Sequence, residues 1–135
     1  MPLLDEIAAR LVAQGVGTIG GDILMGSKAV VPTGDGPYLS LTETGGGGSK
    51  RTHRGTPVAQ PTVQILSRAK MYNVARAKLM LAWNALGGDN GLHNVTLSST
   101  FYQSITPRQQ PTDIGLDAAA RPCIVFNIEA EKAPS

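Results

Sequence analysis

Apolar and polar positions along the chain change their period at one point, and this change predicts a strand followed directly by a helix. Residues 63–68 alternate apolar and polar side chains, as a half-buried strand does. From 74 to 86 the period becomes helical, and this segment contains neither glycine nor proline. Asn73 is the predicted N-cap, and Gly87 with Gly88 is the predicted C-terminal stop.

The predicted helix has an apolar stripe and two large residues outside it. At about 100° per residue, the stripe and its flank consist of Met71, Ala75, Leu79, Ala82 and Leu86, with Val74, Leu81 and Ala85 beside them. Met80 and Trp83 fall on the opposite side with Arg76, whereas Lys78 points into the apolar arc. One interpretation is an amphipathic helix with ragged edges and a snorkelling lysine. The other is a partner interface over these four residues, because exposed tryptophan and methionine are typical of interfaces.

The rest of the chain adds one more helix and several alternating segments. The helix is predicted over 2–14, and the further strands are predicted over 22–25, 38–44, 94–104 and 123–131. Residues 112–121 are short and turn-like. Because the strands come in runs, we predict an α+β fold with a mainly antiparallel sheet of about four to five strands. Both helices are expected to pack on one face of that sheet, in a single domain spanning 1–135.

Residues 45–57, GGGGSKRTHRGTP, form a glycine-rich and then basic segment. Such a composition cannot bury enough surface to order itself, so we predict a mobile loop. Its basic side chains are Lys50, Arg51, His53 and Arg54. One interpretation is a solvated hairpin tip between two strands. The other is a contact arm, which folds against a neighbouring protein or lines a passage for DNA.

Composition limits the function classes without selecting one. The length of 135 residues suits one domain, and the net charge of +2 is too small to argue for nucleic acid by itself. The single Cys123 lies in an apolar run, so a buried thiol is its simplest role. A signal peptide and a membrane-spanning segment are both missing from the pattern, which favours a cytoplasmic protein.

Residues that could support catalysis do not converge in the sequence. His53 lies in the glycine-rich segment and His93 in a turn, and zinc-ligand spacings are absent. The segment GGGGSK lacks the spacing of a phosphate-binding loop and precedes no predicted helix. We therefore expect no enzyme activity, no cofactor and no metal site.

Three long segments together resemble a known family. They are LLDEIAARLVAQGVGTIGGDILMG at 3–26, PTVQILSRAKMYNVARAKLMLAWNALGG at 61–88 and PTDIGLDAAARPCIVFNIEAEK at 111–132. In sequence and order of elements the chain resembles the tail terminator proteins of long-tailed bacteriophages, also described as minor capsid or tail completion proteins. The likeness rests on the whole pattern, since no single residue is diagnostic.

The resemblance implies a structural protein of the virion, assembled in the bacterial host cytoplasm. It implies a hexameric ring at the head-proximal end of the tail tube, which stops tube polymerisation and joins the tail to the head connector or stopper protein. Genomic DNA would pass through the ring without sequence-specific binding. Met80, Trp83, Lys78 and Arg76 would then contact the next subunit, and the basic segment would contact the tube or connector. Two alternatives stay open: a head-completion or neck protein of the same junction, and a nucleic-acid-binding domain that uses the basic segment.

Overall fold

The computed structural model describes residues 3–19, 22–25, 37–43, 49–51, 57–59, 62–97, 100–116 and 120–131. The helices in these ranges are α1 (Leu3–Ala13) and α2 (Tyr72–Ala85), with a 3-10 turn at Gly88–Asn90. The strands are β1 (Ile23–Met25), β2 (Tyr38–Glu43), β3 (Ser49–Arg51), β4 (Pro57–Ala59), β5 (Thr62–Arg68), β6 (Leu92–Leu97), β7 (Thr100–Pro107), β8 (Thr112–Leu116) and β9 (Pro122–Glu131). The α+β class is confirmed, but the sheet is larger than predicted.

Seven of these strands form one mixed sheet in the order β1-β2-β5-β9-β7-β6, and β8 pairs with β9. The short β1 runs parallel to β2, and the other pairings are antiparallel. The long β9 holds three neighbours: β5 on one side, and β8 and β7 at successive positions on the other. This arrangement places β8 and β7 at opposite ends of β9.

The predicted number of about four to five strands in the sheet is too low for two reasons. The predicted strand over 94–104 is two strands, β6 and β7, with Leu97 opposite Thr100 in an antiparallel pair. Its alternation continues across the reversal, and no glycine or proline there signals a turn. The turn-like 112–121 segment contains β8, and a register shift between Asp113 and Gly115 hides it from a simple alternation test. Among the described strands of this sheet, β1 alone pairs in parallel, with β2, which agrees with the prediction of a mainly antiparallel sheet.

Both helices pack against the curled sheet and against each other. Helix α1 contacts β1 and β2 near one sheet edge and β6 at the other, whereas α2 contacts β2, β5 and β9. The predicted inward faces are confirmed on three central strands, where every predicted inward residue is buried, although β9 is also buried at Cys123 and Val125. The predicted inward residues are Leu39, Leu41, Val63, Ile65, Ile124, Phe126, Ile128 and Ala130.

The ends of α2 follow the sequence signals only in part. The N-cap is Met71, without a side-chain hydrogen bond, so the prediction of Asn73 as the cap is wrong. The C-terminal prediction is confirmed, since Gly87 adopts φ +93 directly after the Leu86 cap. A Cβ at Gly87 would lie 2.1 Å from the Gly91 carbonyl oxygen, so both the backbone angle and the close approach require glycine.

Candidate functional site

Three of the four predicted interface residues on α2 line one groove. Arg76, Met80 and Trp83 come from the helix, and the opposite wall is made by Asp89, Gln110 and Pro111. The groove has a volume of about 210 Å³. This volume is below the usual range of small-molecule sites and suits one or two protein side chains. It carries one basic and one acidic side chain, which fits a polar protein contact better than a substrate pocket.

Trp83 is a core residue, so its predicted place on the exposed side of the helix is wrong. Its side chain is only 7% exposed. The indole packs edge-on against Phe126 of β9, with ring centroids 5.1 Å apart and an interplanar angle of 89°. This is the preferred geometry of an aromatic pair, in which the positive edge of one ring meets the negative face of the other.

The buried arc of α2 is rotated toward Trp83 relative to the predicted stripe. The helix packs across β5 and β9, and the Ser67 hydroxyl of β5 donates to the Ala75 carbonyl at 2.8 Å. Met80 is half-buried against the core, while Val74 and Leu81 are exposed. The helical period predicts the position of the buried stripe to within about one residue. Since one residue corresponds to a rotation of about 100°, this error can place a buried residue on the side predicted to be exposed.

Lys78, predicted to lie at a partner interface, is buried, and its contacts within the subunit account for a lysine in the apolar arc of α2. Its ammonium group donates to the Asp22 carboxylate at 2.7 Å and to the main-chain carbonyl of Val16. Asp22 also accepts a bond of 2.6 Å from the Thr18 amide. The lysine therefore ties α2 to the turn that joins α1 to β1.

The electrostatics of this pair favour the ionised form of Asp22. Burial alone would raise the pKa of Asp22, but the bond from Lys78, the bond from the Thr18 amide and the charge of Lys78 together outweigh it. The net effect is a pKa below its ordinary value of 3.8. The carboxylate thus stays charged at neutral pH, as an ion pair requires.

Large exposed apolar side chains gather at one end of the sheet, and the sequence analysis did not identify them. Met71 and Tyr72 begin α2 just after Ala69, whose amide bonds to Pro122, and Pro122 pairs with Leu116 of β8. Exposure reaches 61% at Met71 and 67% at Leu116. We call Met71, Tyr72, Ile114 and Leu116 the sheet-end surface. The missed signal was the alternation of β8, which its register shift interrupts.

The predicted contact segment lies partly outside the described residues. The side chains of Lys50 and Arg51, and all of His53 and Arg54, are outside them. The described backbone at 49–51 is strand β3, which pairs with β4 at 57–59. A two-stranded hairpin therefore occupies part of the segment predicted as a loop.

The described residues contain neither a candidate metal site nor a candidate membrane-spanning helix. Among them, no group of three or more His, Cys, Asp and Glu side chains is placed to hold a metal ion. Helices α1 and α2 are too short or too polar to cross a membrane. The described residues present two candidate surfaces for protein contact, the groove beside α2 and the sheet-end surface.

Comparison with known proteins identifies the family of this chain. The family described as bacteriophage tail terminator protein matches residues 10–133, which is nearly the whole chain. The chain belongs to the bacteriophage tail terminator family. None of the curated proteins matches it.

A solved structure supports the fold of this tail terminator family member. The similar chain comes from the "Virion of native gene transfer agent (GTA) particle", with a TM-score of 0.64 and 15% sequence identity. The match covers 98% of this chain and 95% of the other. At this identity the likeness concerns the fold.

Family membership makes this chain a structural component of a phage virion that assembles with other tail proteins. This role agrees with a structure whose distinctive surfaces are a side-chain-sized groove and exposed apolar residues. Of the predicted interface residues, Arg76 is exposed and Met80 is half-buried at the groove. Trp83 also lines the groove but is almost fully buried, and Lys78 is buried.

Proposed function

We propose that this protein forms a ring at the head-proximal end of the tail tube, stops tube polymerisation and joins the tail to the head connector. The observation that carries the proposal is the family match over residues 10–133. A hexamer is the proposed copy number, with genomic DNA passing through its centre without sequence-specific contacts. We place assembly of the ring in the host cytoplasm, before the completed virion is released.

Ring closure needs two different contact surfaces on each subunit. A head-to-tail contact joins one patch to a different patch on the next copy, and rings form when the rotation closes. The groove lined by Arg76 and Met80 is one proposed patch, and the sheet-end surface is proposed for contact with the tube or connector. Exposed residues as large as Leu116 are costly to leave in water, so covering them favours association.

The proposed tube contact predicts a defect in a Leu116→Ser variant. Leu116 is highly exposed, so the free energy of unfolding should change by less than about 0.5 kcal/mol. Binding to purified tail tubes should weaken roughly tenfold, because burial of a leucine side chain is worth about 1.5–3 kcal/mol. Sedimentation of the protein with tubes measures this. Leu116→Met is the matched control, since it keeps a large apolar side chain and should bind as the unaltered chain does.

The same sedimentation assay separates a terminator from a neck protein. The unaltered chain should bind tail tubes that lack heads and should not bind portal-containing heads that lack both tails and the connector protein. Binding to such heads alone would favour the neck or head-completion function. Equal tube binding by Leu116→Ser and the unaltered chain would remove the sheet-end surface from the proposal.

A further inference from the structure

A second cavity lies between α1 and β6, away from the groove beside α2. Its volume is about 210 Å³, and its walls are Glu6, Ala9, Arg10, Ala13, Thr96 and Leu97. It shares no lining residue with the groove. The α1 residues lie on successive turns of one face, and the small alanines at two of these positions leave the space open.

One of the residues that line this cavity, Glu6, has a buried carboxylate with one oxygen that lacks a partner within the described ranges. Glu6 is 1% exposed. Its Oε1 accepts the Tyr102 hydroxyl at 2.6 Å, whereas Oε2 has no hydrogen-bond partner within the described ranges. Burial and the neighbouring Glu6 raise the pKa of Tyr102 well above its ordinary value, so the phenol keeps the proton that it donates. A buried carboxylate oxygen without a partner is costly, and a donor that reached it would be stabilised.

The basic side chain in the lining of this cavity donates its hydrogen bond to α2 and not to Glu6. Arg10 lies at the wall of the cavity, but its Nε donates to the Ala85 carbonyl at the end of α2, at 3.1 Å. That bond ties α1 to α2 and helps to hold the cavity in shape. Two of its lining residues, Ala13 and Thr96, are exposed, so the cavity borders the surface of the subunit.

The described part of this chain contains one basic side chain without a partner. Lys78 and Arg108 form ion pairs, and Arg10 donates a hydrogen bond. Arg68, Lys70 and Arg121 also have interactions. Arg76 is exposed in the second turn of α2 and makes no hydrogen bond or ion pair to any described residue. Its guanidinium offers a fork of donors that suits a carboxylate.

We propose that the Glu6 cavity binds a guanidinium or ammonium group, and that in the assembled protein this group is Arg76 of a second copy of the chain. The carboxylate with a free oxygen and the unpaired guanidinium are complementary in charge and in hydrogen bonding. They lie on different surfaces of the subunit, so the contact is head-to-tail, as a ring requires. The Arg76 assignment rests on the self-association proposed above, whereas the binding preference of the cavity does not.

The cavity is tested first on the free chain, with ethylguanidinium as the probe and uncharged N-ethylurea as its matched control. Amide NMR signals of Ala9, Thr96 and Leu97 should shift with ethylguanidinium and should not shift with N-ethylurea. Glu6→Gln should weaken probe binding at least tenfold, because a charge-assisted bond to the carboxylate is lost. Equal binding of both probes, or equal binding by the variant, would overturn the site.

A second variant keeps this test valid if Glu6→Gln does not fold. Ala9→Leu fills the cavity from its wall and leaves Glu6 and Tyr102 in place. It should abolish ethylguanidinium binding while retaining the circular dichroism of the unaltered chain. Undiminished binding by this folded variant would contradict the proposed location.

The identity of the natural guest is tested by a double-mutant cycle on self-association. Glu6→Gln and Arg76→Gln should each weaken self-association about tenfold, and the double variant should be little worse than either. Arg108→Gln is the control, since Arg108 already pairs with Glu129 at 3.4 Å. Additive losses, or a chain that never self-associates, would overturn the assignment of Arg76. Coupling of Glu6 to Lys50, Arg51 and Arg54 in place of Arg76 would also overturn it.

Discussion

Replacing Trp83 with alanine is expected to destabilise the folded chain by about 3–5 kcal/mol. The indole is buried and stacked edge-on against Phe126, so its removal opens a cavity between α2 and β9. This loss is a large fraction of the free energy of unfolding of a typical domain, which is about 5–15 kcal/mol. Urea unfolding followed by circular dichroism measures it.

The exposed neighbour Asn84 supplies the control for this measurement. Asn84→Ala changes the same turn of α2 outside the core, and it should alter the free energy of unfolding by less than about 0.5 kcal/mol. Trp83→Phe should fall between the two, because a smaller ring still covers Phe126. Normal stability of Trp83→Ala, combined with lost assembly, would contradict the core assignment and restore the indole to an interface.

Breaking the Lys78–Asp22 pair is the second change with a large expected effect. Lys78→Met removes the charge and leaves the Asp22 carboxylate and the Val16 carbonyl without this donor. Loss of one partner from a fully buried pair costs about 3–5 kcal/mol. Since the Asp22 side chain is 32% exposed, water compensates in part, and we expect about 1–3 kcal/mol.

The pH dependence of this effect has a definite sign. The pKa of Asp22 is lower in the folded chain than its ordinary 3.8, so the pair contributes stability above that value. The contribution is lost as the pH falls through the folded pKa. The unaltered chain should therefore lose more stability than Lys78→Met between about pH 5 and pH 2.

An exposed arginine of the same helix gives the control for charge removal alone. Arg76→Met takes away a positive charge that makes no hydrogen bond or ion pair to any described residue, and it should change stability by less than about 0.5 kcal/mol. Identical acid unfolding of the unaltered chain and Lys78→Met would show that the pair carries no net stability. Melting temperatures across this pH range decide between these outcomes.

The sequence was sufficient to predict those features of the fold that depend on a single segment of the chain. Alternation in β2, β5 and β9 identified the faces that carry the core residues, although Cys123 and Val125 on the other face of β9 are buried as well. Gly87 marked the end of α2 through its positive φ. The family resemblance also came from the pattern of elements, and the match over 10–133 confirms it.

Features that depend on distant partners were not predictable in the same way. Lys78 and Asp22 are 56 residues apart, and no local pattern states that a lysine in an apolar arc has found a carboxylate. Glu6 and Tyr102 are separated by 96 residues. The face of Trp83 depends on how α2 crosses β9, since a small rotation of the helix exchanges its flank and its exposed side. These contacts depend on tertiary packing, which could not be predicted from the sequence pattern alone.

The length of tails made with and without this protein tests the central claim most directly. A structural protein that caps the tube should set its length, so electron micrographs of lysates lacking the protein should show tubes of widely varying and excessive length. Adding the purified protein during assembly should restore a narrow length distribution. Tails of normal, uniform length in its absence, beside unattached heads, would contradict termination and indicate a joining function alone.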